Sequence, residues 1–319
     1  MVSFKQIAAL LLLSFEVLIN VASYGVLALT VDYYTMHCPF AEMTVRMTVN
    51  QAMQIDPTLA AGLLRLHFHD CFVEGCDGSV LIESTEDNTA EKDSPANQSL
   101  RGFEVIDQAK RLTEMQCPGV VSCADIVAMA ARDAVVWAGG PYYNVQKGRK
   151  DGLRSRIEDT VELPSPTLNS TSLVSVFGQH GFTVQDLVAL SGAHTLGVAR
   201  CASFKDRLIS NSDPGMNPNF ARMVSRRCSD GDDDTTMSFD WTKNYFDNSY
   251  FRALQRGFGL LASDQTLFMD AQTRGLVDVY AMNQARFFID FQQAMLKMGN
   301  IDVKDAHQGN VRLNCRKLN

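Results

Sequence analysis

The sequence predicts a mostly α-helical fold. Apolar residues recur at helical spacing in several long segments, the clearest of these segments open on capping residues or close on glycine, and strand signals are few. Pro57 to Phe72 is the first, carrying the strong helix formers Leu59, Ala60, Ala61, Leu63 and Leu64. Ser122 to Trp137 is the second. Ser122 stands at its N-cap with Asp125 three positions on, a variant of the capping box, and Gly139-Gly140-Pro141 stops it. One strand signal follows at Tyr142 to Gln146. Thr183 and Asp186 repeat the cap pattern before a short helix that ends at Ser191-Gly192, and Leu276 to Met298 reads as one or two helices closed by Gly299. Three turn-rich stretches break the pattern: Thr85 to Ser99, Val161 to Asn169 with Pro164 and Pro166, and Ser210 to Asn219 with Pro214 and Pro218. Asp230 to Asp234 reads as a solvated acidic loop.

Composition fits a globular protein with a full core, at 46% hydrophobic and 20% charged residues over a length of 319. A net charge of −7 argues against nucleic acid or an anionic membrane as a partner, since both select a basic face. Residues 1–28 read as a secretory signal peptide: Lys5, an apolar run from Ile7 to Phe15, then the small residues Ala22, Ser23, Gly25 and Ala28. Glu16 interrupts that run well short of the about 20 apolar residues a membrane span needs. Eight cysteines in a secreted chain imply four disulfides. Spacing leaves about a hundred pairings open and favours only Cys71 with Cys76, which would pin the end of the first helix. No C-x-x-C pair is present to suggest a zinc thiolate site. Two sequons occur, at Asn97 and Asn169.

The chemistry concentrates in LLRLHFHDCFVEGCDGSV, Leu63 to Val80. On a helix, Arg65 and His69 are four apart and share a face, with Phe68 beside them, while His67 points elsewhere and reads as a core residue. A fixed cation next to His69 favours its neutral form, which is the form of a general base with an electrostatic clamp. In ALSGAHTLGVARC, His194 follows the C-terminal end of a short helix, a setting that suits donation to a metal. Asp70, Asp77 and Ser79 put oxygen ligands for a hard cation such as calcium in one tight loop, outside the EF-hand register.

RLHFHDCF, GCDGS, AEKD, ALSGAHTLG and SDQTLF, in this order, resemble the secretory plant (class III) haem peroxidases, and the likeness runs from about Tyr33 to Cys315. The resemblance implies an all-α fold with two helical lobes enclosing one haem b. The distal lobe would be roughly 29–165 plus the C-terminal helix, the proximal lobe roughly 166–275, within a domain of 29–319. It implies His194 as the iron ligand, Asp264 as the carboxylate behind it, and Arg65, Phe68, His69 and Asn97 as the distal residues. Pro164 would meet the donor at the haem edge. One calcium would take Asp70, Val73, Gly75, Asp77, Ser79 and Glu91; a second would take Thr195, Asp240, Thr242 and Asp247. Here the chain departs from the family: Asp240-Trp241-Thr242 is one residue shorter than the usual D-x-x-T. The resemblance also pairs Cys38 with Cys117, Cys71 with Cys76, Cys123 with Cys315 and Cys201 with Cys228, and Asp125 with Arg149 as a buried ion pair.

The implied activity is reduction of hydrogen peroxide to water with one-electron oxidation of phenolic donors, by a monomer. With four residues after Cys315, cell wall or apoplast is the expected location rather than vacuole. Asn97 would need a free amide and is expected to carry no glycan, unlike Asn169. Two other readings stand beside this one. A hydrolase built on Ser191 or a zinc ion lacks both G-x-S-x-G and H-E-x-x-H. A structural or binding glycoprotein on the same scaffold would have no use for the full set of distal and proximal residues.

Overall fold

A computed structural model describes residues 29–209, 213–229 and 233–319. The signal-peptide segment and parts of two predicted loops, 210–212 and 230–232, lie outside the described residues. The chain folds as helices α1 (Ala41–Ile55), α2 (Leu59–Cys71), α3 (Phe103–Gln116), α4 (Cys123–Trp137), α5 (Ser170–Gln179) and α6 (Val184–Ser191). Then come strand β1 (Val198–Arg200), α7 (Asp206–Ile209), α8 (Pro218–Ser229), strand β2 (Thr236–Ser238), α9 (Ser249–Gln255), α10 (Ala262–Met269), α11 (Ala271–Met282) and α12 (Gln284–Met298).

α4 is the central helix. Its residues from Cys123 to Val135 are all buried, the mark of a helix covered on every side. It packs against α1 and α2. Its buried charges are all paired: Asp125 with Arg149 at 2.8 Å, and Arg132 with Asp133 at 2.6 Å and Glu42 at 3.1 Å. Ser122 accepts from the Asp125 N–H at 3.2 Å, but the Asp125 carboxylate turns inward to Tyr34 and Gly148, so this cap is half a box. At α6 the box is complete, with Thr183 and Asp186 each accepting from the other's backbone.

α12 holds the two halves of the molecule together. It packs on α6, and at its end the Gly299 carbonyl accepts from Arg149 and the Ile301 carbonyl from the Cys76 backbone N–H. One core runs through all of this, with a satellite core of Ala199, Cys201, Phe204, Val224, Leu260 and Leu261. The four disulfides join Cys38–Cys117, Cys71–Cys76, Cys123–Cys315 and Cys201–Cys228.

One expectation needs correction. Tyr142 to Gln146 is not a strand; it is irregular, and only Lys147 after it bridges to Thr30. Its β-branched and aromatic residues meet core and helix rather than a pairing partner, as Tyr143 and Val145 are buried. The sheet lies elsewhere, as the antiparallel ribbon β1–β2 with Val198 opposite Ser238 and Arg200 opposite Thr236.

Candidate active site

Two groups of side chains are built on separate turns. The first sits on the last turns of α2. Arg65 and His69 are in contact, the guanidinium Nε–H donating to His69 Nε2 at 3.0 Å. Asn97 Nδ2 donates to the Glu91 carbonyl at 2.8 Å, which turns its Oδ1 toward His69 Nδ1 at 2.6 Å. His69 therefore carries its proton on Nδ1 and its lone pair on Nε2. Burial, and then Arg65, lower its pKa from the ordinary value to about 3. A loop holds the Arg65 guanidinium: Ser99 Oγ and the Ala96 carbonyl accept from its other nitrogens at 2.8 and 2.9 Å. Phe68 is partly buried and meets His69 edge-on at 5.8 Å. His67 is buried away from this group, 3.5 Å from Cys71 Sγ, its pKa lowered to about 3 by burial and Arg149. His67, Asp70 and Cys71 approach one another, but the Cys71 sulfur is committed to Cys76 and offers no thiolate.

Directly behind His69, Asp70, Asp77, Ser79 and Glu91 are all buried. Asp70 Oδ2 accepts from Gly78 N–H and Asp77 Oδ1 from Ser79 N–H, both at 3.0 Å. Asp70 Oδ1, Ser79 Oγ and both Glu91 oxygens have no partner. Burial, then Asp70 and Asp77, push Glu91 up to about 9; burial pushes Asp77 up to about 6. Oxygens this deeply buried and unpartnered fit a bound cation. Val73 and Gly75 lie on the same loop, both buried, and Gly75 has φ +96° where a side chain would collide with Asp302.

The second group is on the turn Gly192–Thr195 that follows α6. His194 Nδ1–H donates to Asp264 Oδ1 at 2.8 Å, which leaves Nε2 as the lone-pair nitrogen. The side chain is 38% exposed although its carboxylate partner is buried. An imidazole backed by a carboxylate is the donor set of a metal ligand, and it fits haem iron. Gly192 is required here: a Cβ would sit 2.4 Å from Phe287. The β1–β2 ribbon returns the chain so that Phe239 stacks face to face on His194 at 4.4 Å. It also brings Asp240 to Thr195, whose hydroxyl donates to Asp240 Oδ2 at 2.7 Å and lies 3.2 Å from Asp247 Oδ1. Thr242 Oγ1 is 3.1 Å from Asp240 and 3.2 Å from Asp247, so these four side chains converge despite the shortened link. Gly197, at φ +91°, sets this turn against Ala61 of α2, next to the first group.

Several residues of the site had no signal in the sequence. Tyr250 donates to Asp264 Oδ1 at 2.8 Å, and burial with the nearby carboxylate raises its pKa well above 10, so it remains a donor. No spacing rule links Tyr250, Asp264 and His194. Ser99 was visible only as part of a sequon, and Phe239 only as the neighbour of Asp240. Pro164 lies on a half-buried loop, and Asn169 is exposed, its Oδ1 capping α5 through Ser172 N–H at 2.9 Å.

Compared with known protein families, residues 45–283 match the family described as Peroxidase. Peroxidase 47 of Arabidopsis thaliana is 64% identical over 291 residues, which cover 91% of this chain and 89% of the relative. Peroxidase 66 of the same plant is 45% identical over 300 residues, 92% of each chain. Peroxidase 64, also from that plant, is 46% identical over 309 residues, 95% of this chain and 96% of the relative. With a match of that length and identities of that order over nearly the whole chain, this protein belongs to the peroxidase family.

Proposed function

We propose that the protein is a secreted haem peroxidase that reduces hydrogen peroxide to water and oxidises phenolic donors one electron at a time. The observation that carries this reading is the pairing of two differently prepared imidazoles, His69 held neutral between Asn97 and Arg65, and His194 held by Asp264. His194 would hold the iron of one haem b, and haem supplies the redox equivalents that cleave the peroxide bond. His69 Nε2 takes the proton of the incoming peroxide and hands it to the outer oxygen, which leaves as water. Asn97 keeps the Nδ1 proton in place during that transfer. Arg65, held at pKa about 10 by burial and Arg200, stays charged and stabilises the departing oxygen. Phe68 walls the imidazole, and Pro164 marks where phenols approach.

Two calcium ions belong to the same reading. The unpartnered oxygens of Asp70, Ser79 and Glu91, with Asp77 and the carbonyls of Val73 and Gly75, support the first. The converging hydroxyls and carboxylates of Thr195, Asp240, Thr242 and Asp247 support the second. Asn97 is 1% exposed with both ends of its amide engaged, so it takes no glycan; Asn169 keeps its Nδ2 free for one. Four disulfides and the expected leader favour an extracellular site, in the cell wall or apoplast. Among the described residues no helix is long and apolar enough to cross a membrane. The protein acts as a monomer without nucleic acid or membrane. A pyridine-haemochrome spectrum of the purified protein, followed by peroxide addition with a phenol, tests the reading. A Soret band that responds to peroxide is expected; a protein without one overturns it.

A further inference from the structure

Asp264 receives two donors on one oxygen. His194 Nδ1–H and the Tyr250 hydroxyl both reach Oδ1 at 2.8 Å, while Oδ2 is buried and has no partner. The three residues come from independent elements: the turn after α6, α9 and α10. Tyr250 is 1% exposed, and its ring lies edge-on to His194 at 6.2 Å and to Phe251 at 5.0 Å. Packing alone would be served by phenylalanine, since a buried phenol needs a partner for its O–H. The partner it has is the atom that sets the basicity of His194.

Two donors on one carboxylate oxygen compete for the same electron density, so each hydrogen bond is weaker than it would be alone. The phenol therefore limits how far Asp264 draws the Nδ1 proton away from His194. It also fixes the carboxylate rotamer, because the unpartnered Oδ2 would otherwise be an equal acceptor. From this shared oxygen we infer that Tyr250 is the third member of the His194–Asp264 unit, a positioning residue that moderates electron donation by His194 and so sets the reduction potential of the iron it holds. The inference rests on the reading of His194 as the haem ligand. Its direction follows from the geometry. Without the phenol, Asp264 pulls harder on Nδ1–H, His194 gains anionic character, and the ferric state is favoured.

The test uses Tyr250→Phe and, at the same position, a site-specifically incorporated fluorotyrosine, which is a stronger donor. In the haem-loaded protein, Tyr250→Phe is expected to shift the ferric/ferrous equilibrium toward ferric by roughly tenfold, about 59 mV for one electron. Fluorotyrosine is expected to shift it the opposite way. In apoprotein, NMR of the His194 Nδ1–H proton is expected to move downfield in Tyr250→Phe, which reads the hydrogen bond without iron. Potentials that stay put, or move the same way in both variants, overturn the inference while a normal Soret band leaves the peroxidase reading intact. Failure of the wild-type protein to bind haem would instead strike that reading, and the apoprotein signal would still decide whether Tyr250 weakens the Asp264–His194 bond.

Discussion

The two histidines of the motif that ends α2 are both buried and both shifted to about pKa 3, yet only His69 has a base's surroundings. His69→Ala is expected to slow the reaction with peroxide by about 10²–10⁴-fold, the range for a lost general base, and His67→Ala to slow it little. Stopped-flow measurement of the peroxide step compares them, and equal losses would reassign the base. The same shift fixes a pH dependence. His69 titrates near 6.5 when unfolded and near 3 when folded, so it is a competent base across the whole neutral and mildly acidic range. The peroxide rate should stay flat as pH falls from about 8 to about 4 and decline only toward 3. A bound cation at Asp70 would push the imidazole the same way. Stability has the opposite exposure. A depressed histidine contributes stability that is full above about 6.5 and is lost as pH falls toward 3, because the unfolded chain takes up protons first. A rate that halves near pH 6.5 would show that His69 is not held in this environment.

Elements place these side chains, and in the proposed reading the loop after α2 would do so through a cation. Asp70 follows His69 directly, and its Oδ1, like Ser79 Oγ and both Glu91 carboxylate oxygens, is buried without a partner. Stepwise chelation is expected to lower the peroxide rate and change the haem spin state while far-UV helicity persists, since four disulfides still restrain the chain. Metal content, activity and circular dichroism followed together decide this; loss of two calcium ions with an unchanged rate would break the link from Asp70 to His69. At this scale the sequence was readable where chemistry marks an element's ends. α4 and α6 are legible within two residues because Ser122 and Thr183 are caps and Gly139 and Gly192 are stops, and α2 because its strong helix formers run from Leu59 to Leu64. α1 and α10 follow Phe40 and Leu261, N-cap residues with no capping side chain, and so carry no start signal in the sequence. β1 and β2 are three residues each, too short for alternation to register. The ribbon they form is nevertheless what carries Asp240 and Phe239 back to His194.

Across the whole molecule, covalent ties and buried charges connect regions that the helices alone leave apart. The bridge from Cys123 to Cys315 spans 192 residues and fastens the tail to the central helix. That tail inserts Arg312, fully buried, which donates to the Gly78 carbonyl between Asp77 and Ser79. Replacing both cysteines by alanine is expected to cost about 2–5 kcal/mol in denaturant unfolding and to loosen cation binding at the Asp70 loop. Unchanged unfolding and unchanged metal retention would show that the tail is held by packing alone. Spacing could suggest only the Cys71–Cys76 pair, because the other partners are 27, 79 and 192 residues apart and any of them satisfies chain geometry. Motif resemblance supplied what spacing could not. Neither supplied Tyr250, whose meeting with Asp264 depends on how α9 and α10 pack.

The same long bridge governs the order in which the protein can be completed as it leaves the ribosome. Cys123 emerges when its neighbour Cys117 must already be reserved for Cys38, and then two further thiols, Cys201 and Cys228, pass before its partner exists. At about 5–20 residues per second the wait is about 10–40 s. Throughout it, Cys123 is a nucleophile surrounded by wrong partners on a nascent chain. Biogenesis is therefore expected to need a compartment that can reshuffle sulfur as well as oxidise it. Alkylation trapping during synthesis is expected to find Cys123 and Cys315 as the last free thiols, and a host without disulfide isomerase to accumulate chains cross-linked at Cys123.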